Sequence, residues 1–221
     1  MTLDLIQTRI AQALTRAGRP ADAVTLIAVS KVQPEDRVRA VLDAGQRIFG
    51  ENRVQEADGR WPPLQGEYPG ISLHLVGPLQ SNKVNRALEL FDAIHSLDRD
   101  SLATRLARAV QTRGASPELF VQVNTGREPQ KAGVDPDTLD AFLRNCREAL
   151  DLPVTGLMCI PPATDDPARH FAALKAMAAR NGLDRLSMGM SDDFETAIAH
   201  GATHVRIGSA IFGARASDWA G

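Results

Sequence analysis

The sequence predicts an α/β fold: one (β/α)8 barrel, of the TIM type, preceded by an extra N-terminal helix. Three observations carry this. The chain has 221 residues, within the ~200 to 250 that such a barrel occupies as one domain. Short apolar runs alternate with helical patterns from near the start to the end, giving about eight strand–helix units, the number that closes a barrel. Residues able to do chemistry recur just after those runs, and in such barrels the site lies at the C-terminal strand ends.

Leu3, Ile6, Ile10, Leu14 and Ala17 recur at helical spacing, so the chain opens with an amphipathic helix, which Gly18 and Pro20 end. The run 25–30 reads as a buried strand. Further strands are expected at 47–49, 73–76, 93–95, 119–123, 154–159, 186–188 and 203–207. Helical patterns between them include 38–44, 101–112, 138–150, 168–180 and 194–200. The stretch 61–70 holds Pro62, Pro63, Gly66, Pro69 and Gly70 and is expected to be an irregular connection. An open doubly wound sheet alternates in the same way. It usually has a Gly-rich first turn, and Ser30-Lys31-Val32-Gln33-Pro34 is not one. No linker interrupts the pattern, so residues 1–221 are expected to form a single domain.

Composition narrows the function. Hydrophobic residues make up 43% and the formal net charge is −2, with both signs mixed along the chain. No basic face or tail suggests nucleic acid. No apolar run approaches the ~20 residues of a membrane helix. Asp4 and Arg9 interrupt the apolar pattern of the first ten residues, against a signal peptide, so a cytoplasmic location is expected. Cys146 and Cys159 match no metal spacing and are expected as reduced thiols.

Lys31 follows the first strand directly. Alternation puts it on the face of Ile27 and Val29. If that face looks into the barrel, desolvation favours the neutral amine, the form that condenses with an aldehyde to an imine. A strand-end lysine can equally reach solvent. After the seventh and eighth strands come Met190-Ser191-Asp192-Asp193 and Gly208-Ser209-Ala210. Each places a serine where a helix is expected to begin, in the loops where barrels often hold phosphate. Gly208 leaves room for close backbone approach. The plainer reading makes Ser191 and Ser209 N-caps. Arg206 shares a strand face with Gly208 and can donate to a ligand or enter an internal ion pair. His204 faces the same way, and His74 and His95 also lie on strands; core packing is the expected role of all three. Asn52 follows the second strand, where it can meet a planar ligand or cap the next helix.

Several segments together resemble a known family. They are Ala28-Val-Ser-Lys31, Phe49-Gly-Glu-Asn-Arg53, Gln80-Ser-Asn-Lys83, Leu186-Ser-Met-Gly-Met-Ser-Asp192 and Val205-Arg-Ile-Gly208 with Ile211-Phe-Gly-Ala-Arg215. In this order they are similar to the pyridoxal phosphate homeostasis proteins, also called the YggS or PROSC family. Some relatives carry histidine where this chain has Pro78. The resemblance implies the barrel of the fold-type III pyridoxal phosphate enzymes, as in the N-terminal domain of alanine racemase. It implies pyridoxal 5'-phosphate as an imine on Lys31, with its phosphate at Ser191, Gly208 and Ser209. It further implies Arg206 facing the pyridine nitrogen, and Asn52 and Met188 close to the ring. Relatives are described as balancing the vitamin B6 pool without established turnover.

Racemases of this fold set a tyrosine, from an added β-domain of a partner subunit, opposite the cofactor lysine. The chain is expected to lack that domain and its dimer interface, and so to be a monomer. Its single tyrosine, Tyr68, falls in the turn-rich stretch. An arginine at the ring nitrogen, which keeps its own proton, leaves a poorer electron sink, which weakens transamination and decarboxylation but not racemisation, since racemases of this type also use arginine there. The expected role is therefore a non-catalytic carrier and regulator that passes pyridoxal phosphate to apo-enzymes. The alternatives are a weak or specialised amino-acid racemase, and a barrel enzyme that uses Lys31 as a Schiff-base lysine on a sugar phosphate. Lys83 and Lys131 are expected as solvated loop lysines that could meet an anion during transfer.

Overall fold

The computed structural model describes residues 2–213. Ala214 and Arg215, the last two residues of the segments that carry the resemblance, lie outside them, as do the ends of the single domain expected over 1–221. Eight parallel strands close into a barrel in chain order. They are β1 (Thr25–Val29), β2 (Ile48–Glu51), β3 (Ser72–Leu75), β4 (Ala93–Leu97), β5 (Glu118–Val123), β6 (Val154–Cys159), β7 (Arg185–Ser187) and β8 (His204–Ile207). The seam is the β1–β8 pairing, with Thr25 opposite His204 and Ala28 opposite Ile207.

The helices form the outer layer: α1 (Leu3–Arg16), α2 (Glu35–Asp43), α3 (Val54–Glu67), α4 (Val84–Leu90), α5 (Asp100–Arg113), α6 (Leu139–Arg144), α7 (Pro167–Arg180), α8 (Phe194–Ala199) and α9 (Ser209–Phe212). A single 3-10 turn, Ser81–Lys83, leads into α4. A π-helical turn, Asn145–Ala149, continues α6 and completes the helix expected over 138–150. The extra helix α1 buries Leu3, Ile6, Ile10, Ala13 and Leu14. It packs beside α8, where Arg9 pairs with Glu195 at 3.0 Å and lies over the Phe194 ring. No helix among the described residues is long and apolar enough to cross a membrane.

The core has two parts. The larger lies between strands and helices and takes the outward residues, such as Ala28, Phe49, Leu73, Val205 and Ile207. The smaller, Ile27, Val29 and Val76, fills the barrel beneath its C-terminal mouth. Gly50 sits against it: a Cβ there would lie 2.9 Å from Ile27 and 3.2 Å from Val29. Deeper in the barrel the lining turns polar, with His74, His95, Ser187, His204 and Arg206 all buried.

The stretch expected to be irregular is helical as far as Glu67. Pro62 and Pro63 lie inside α3, although each removes a backbone donor at a cost of roughly 3 kcal/mol in a helix interior. Burial outweighs the local preference. Trp61 and Leu64 are fully buried. The Trp61 ring packs on Phe49 with centroids 4.8 Å apart, and its Nε1–H donates to Glu51 Oε1 at 3.0 Å. Only Tyr68 to Gly70 remain as the connection.

Candidate functional site: the C-terminal mouth of the barrel

A cavity of about 410 Å³ opens at the C-terminal strand ends, within the ~300 to 1,000 Å³ of small-molecule sites. Lys31, Asn52, Ser191, Arg206, Gly208 and Ser209 all line it. Gly77, Gln122 and Ile160 are among the other wall residues, so most strands of the barrel contribute to its rim.

Lys31 belongs to a four-residue turn that is held from behind. Gln33 N–H donates to the Ser30 carbonyl at 3.1 Å. Between them Val32 has φ +51°, a left-handed conformation that costs a β-branched residue of order 1 to 3 kcal/mol. Arg60 on α3 locks this geometry. It donates to the carbonyls of Ser30 at 3.0 Å and Gln33 at 2.6 Å, and to Glu51 Oε1 at 3.1 Å. Ser30 Oγ donates to the same carboxylate oxygen at 2.8 Å. Burial pushes the Glu51 carboxyl above its ordinary range, opposed by Ser30, Trp61 and Arg60. Glu51 and Arg60 were not candidates from sequence. They meet the lysine turn only because α3 folds back over β2, although the Glu51 position inside Phe49-Gly-Glu-Asn-Arg53 was a signal.

Ser191 and Ser209 come from separate loops and meet, Oγ to Oγ, at 3.3 Å. Neither stands at a helix N-cap position, although Ser191 Oγ accepts from Ala210 N–H in the first turn of α9 at 3.5 Å. Asp193 stands at the N-cap position of α8, with its carboxylate accepting from Met190 N–H at 2.6 Å and not from the helix, and Gly208 stands at that of α9. Helix α8 starts only at Phe194, beyond the turn that holds Ser191. A Cβ on Gly208 would stand 3.1 Å from the Val29 carbonyl oxygen, so β8 approaches β1 closely where the two serines converge. Asn52 does not cap α3 either, because Arg53 holds that position. Asn52 backbone instead abuts Gly77, where a Cβ would come within 2.3 Å of the Asn52 carbonyl oxygen.

Arg206 forms no ion pair among the described residues, which excludes the internal salt bridge. It is 4% exposed and donates to Ser187 Oγ at 2.7 Å and the Cys159 carbonyl at 2.8 Å. Burial lowers its pKa from the ordinary value, yet a guanidinium stays protonated in a protein. A cation held by neutral acceptors at the base of a cavity favours an anion or a bare acceptor above it.

Met188 is not at the cavity. It is fully buried in the outer core, in phase with Leu186. Gly189, at φ +95°, reverses the chain, and Met190 reaches the wall instead. Tyr68 follows the C-terminus of α3, at the strand-start end of the barrel, and its hydroxyl donates to Asp43 at 2.8 Å. Lys83 ends the 3-10 turn and lies outside the cavity lining. Lys131 is not simply solvated: it pairs with Glu128 at 2.6 Å and donates to the Pro161 carbonyl at 3.2 Å. It lines a recess next to the cavity, the two sharing Gln122, Ala132 and Ile160. Cys146 and Cys159 are both buried free thiols, and burial pushes each up to about 12.

Comparison with known proteins decides the family. Residues 1–216 match the alanine racemase N-terminal domain. The chain is 41% identical over 219 residues to the pyridoxal phosphate homeostasis protein of Escherichia coli K12, covering 95% of this chain and 94% of that one. It is 44% identical over 217 residues to the protein of the same name from Pseudomonas aeruginosa, covering 95% and 93%. The chain belongs to the pyridoxal phosphate homeostasis proteins. Among solved structures of similar proteins is PipY of Synechococcus elongatus with pyridoxal phosphate bound. It has 41% identity and a TM-score of 0.80, covering 92% of this chain and all of that one. Alanine racemase of Bartonella henselae shares the fold alone, at 16% identity and a TM-score of 0.69, covering 95% of this chain and 61% of that one. The homeostasis family thus has the racemase barrel, as the sequence implied.

Proposed function

We propose that this chain binds pyridoxal 5'-phosphate reversibly on Lys31 and serves as a carrier and regulator of the intracellular cofactor pool. The carrying observation is that an amine after β1, a buried guanidinium on β8 and two converging hydroxyls after β7 and β8 line one cavity. That set fits the group. Its aldehyde needs an amine, its phosphate needs donors at a close backbone approach, and its ring nitrogen needs a hydrogen-bond donor. When bound, the cofactor supplies an electrophilic aldehyde carbon and an electron-withdrawing ring.

The chain's own residues do the rest. Lys31 supplies the amine, and the Arg60–Glu51 clamp fixes its turn. Ser191, Ser209 and the backbone beside Gly208 receive the phosphate. Arg206 would hold the ring nitrogen by donating to it, since the guanidinium keeps its own proton. Asn52 and Gly77 border the ring. Met188 supports this wall from the core and is not a contact. Tyr68, at the opposite end of the barrel, is not placed to move a proton at a substrate carbon. The place of Tyr68 favours a carrier over a racemase. The same reading makes residues 1–221 one barrel domain, acting as a monomer in the cytoplasm and passing its cargo to apo-enzymes that use pyridoxal phosphate.

Two measurements test it. Protein mixed with pyridoxal phosphate should turn yellow, with a band near ~420 nm that borohydride removes, as expected for an imine to lysine. A mixture with no such band refutes the binding reading. Incubation with L-amino acids in deuterated water should show no enzyme-like exchange at Cα; rapid exchange would make the protein a racemase-type enzyme.

A further inference from the structure

The floor of the cavity continues downwards as a file of hydrogen bonds. Arg206 Nη1 donates to Ser187 Oγ at 2.7 Å. Ser187 Oγ meets His95 Nδ1 at 2.7 Å, and His95 Nε2 meets His74 Nδ1 at 3.0 Å. His74 in turn lines a recess at the opposite mouth of the barrel, beside Asp92, Glu118 and His204. The file therefore runs through the barrel from one end to the other.

Its polarity is set by chemistry. Arginine only donates, so Ser187 Oγ accepts from it. Arg206 and His95 are the hydrogen-bond partners of Ser187 Oγ, and Ser187 is fully buried. The serine proton must then go to His95 Nδ1. The reverse arrangement leaves a buried hydroxyl proton with no acceptor. His95 accepting at Nδ1 carries its own proton on Nε2 and gives it to His74 Nδ1. His74 then carries its proton on Nε2, towards the far mouth. A second proton on either ring would set two donors against each other. Desolvation holds both histidines neutral: His74 is pushed down to about 4 and His95 well below its ordinary value. His95 is also braced by Phe120, with rings stacked at 4.3 Å.

We infer that His95 and His74 are positioning residues for the cofactor site: through Ser187 they turn a lone pair towards Arg206 and so fix the guanidinium that faces the cavity. With Ser187 and the Cys159 carbonyl holding one edge, the remaining N–H groups are left for the ligand. The ligand's identity rests on the function proposed above, whereas the file itself does not.

The test begins on ligand-free protein, where imidazole nitrogen-15 shifts report tautomers directly. The expected result is the neutral Nε2–H form for both His95 and His74 at pH 7.5. An Nδ1–H form of His95 overturns the inference, and needs no variant that could fail to fold. The Arg206 side-chain NH signals should be resolved in the wild type, exchange-broadened in His95→Leu and restored in His95→Gln, whose amide can accept from Ser187 and donate to His74. Pyridoxal phosphate affinity should fall about threefold to tenfold in His95→Leu, the worth of one hydrogen bond, and recover in His95→Gln. Unaltered Arg206 signals and affinity in His95→Leu would also overturn it. Absence of any pyridoxal phosphate binding in the wild type, with the tautomers as expected, would refute the function and leave the file intact.

Discussion

Lowering the pH from 7.5 to 5.0 should destabilise the barrel through its buried histidines. His74 is pushed down to about 4, His204 to about 3 and His95 well below its ordinary value, in each case chiefly by desolvation. Their folded pKa values therefore lie below that of an unfolded histidine, ~6.5. The unfolded chain binds the extra protons, so stability is full above pH ~6.5 and is lost as pH falls. The loss continues down to about 4 for His74 and about 3 for His204. At pH 5 each ring stays neutral in the fold but is protonated when unfolded, a difference of ~1.5 pH units and so roughly 2 kcal/mol. Three such rings give an upper bound of about 6 kcal/mol, a large share of the ~5 to 15 kcal/mol by which domains are stable. Glu51 and Asp193, raised by burial, act in the opposite direction, so one histidine must be isolated. Urea unfolding of wild type and His204→Leu at both pH values does this. The variant should lose about 2 kcal/mol less than the wild type between pH 7.5 and 5.0, whatever its stability at pH 7.5. Identical pH dependence in the two proteins would refute the claim that His204 is held neutral in the folded barrel.

Two further outcomes concern the walls of the site. Arg60→Ala leaves Glu51 buried without its cation and releases the Ser30 and Gln33 carbonyls; it should cost roughly 3 to 5 kcal/mol by denaturant unfolding, the loss typical of a broken buried ion pair, and Glu51→Gln in the same background should recover part of it. Gly77→Ala must move the Asn52 backbone, 2.3 Å from the new Cβ; a loss of about 1 to 3 kcal/mol is expected for such overpacking, together with weaker retention of pyridoxal phosphate measured by equilibrium dialysis.

The barrel was legible because parallel strands buried on both faces leave short apolar runs that turn signals separate. Strand phase also placed Lys31 and Arg206, since Ile27 and Val29 do face the barrel interior. The serines were legible by position after β7 and β8; only the plainer cap reading falls, because Asp193 and Gly208 hold the N-cap positions of α8 and α9. Met188 was implied near the ring by the resemblance alone; strand phase sets it outward with Leu186, and after the positive φ of Gly189 it is Met190 that lines the cavity. Helix α3 was hidden by Pro62 and Pro63, whose local signal is overruled by the burial of Trp61 and Leu64. The histidines were read as core residues, and they are buried. What no local pattern carries is the register across the barrel that sets His74, His95 and Ser187, from three different strands, in one file. The Arg60 clamp is likewise a product of tertiary contact.

Lys31 as the point of attachment is the central claim. Reduction of the pyridoxal phosphate complex with borohydride, followed by proteolysis and peptide mass mapping, tests it most directly. The pyridoxyl phosphate mass should appear on the peptide containing Lys31, and should disappear in Lys31→Ala protein that remains folded. A label carried by Lys83, Lys131 or Lys175 instead, or by no lysine at all, would contradict it.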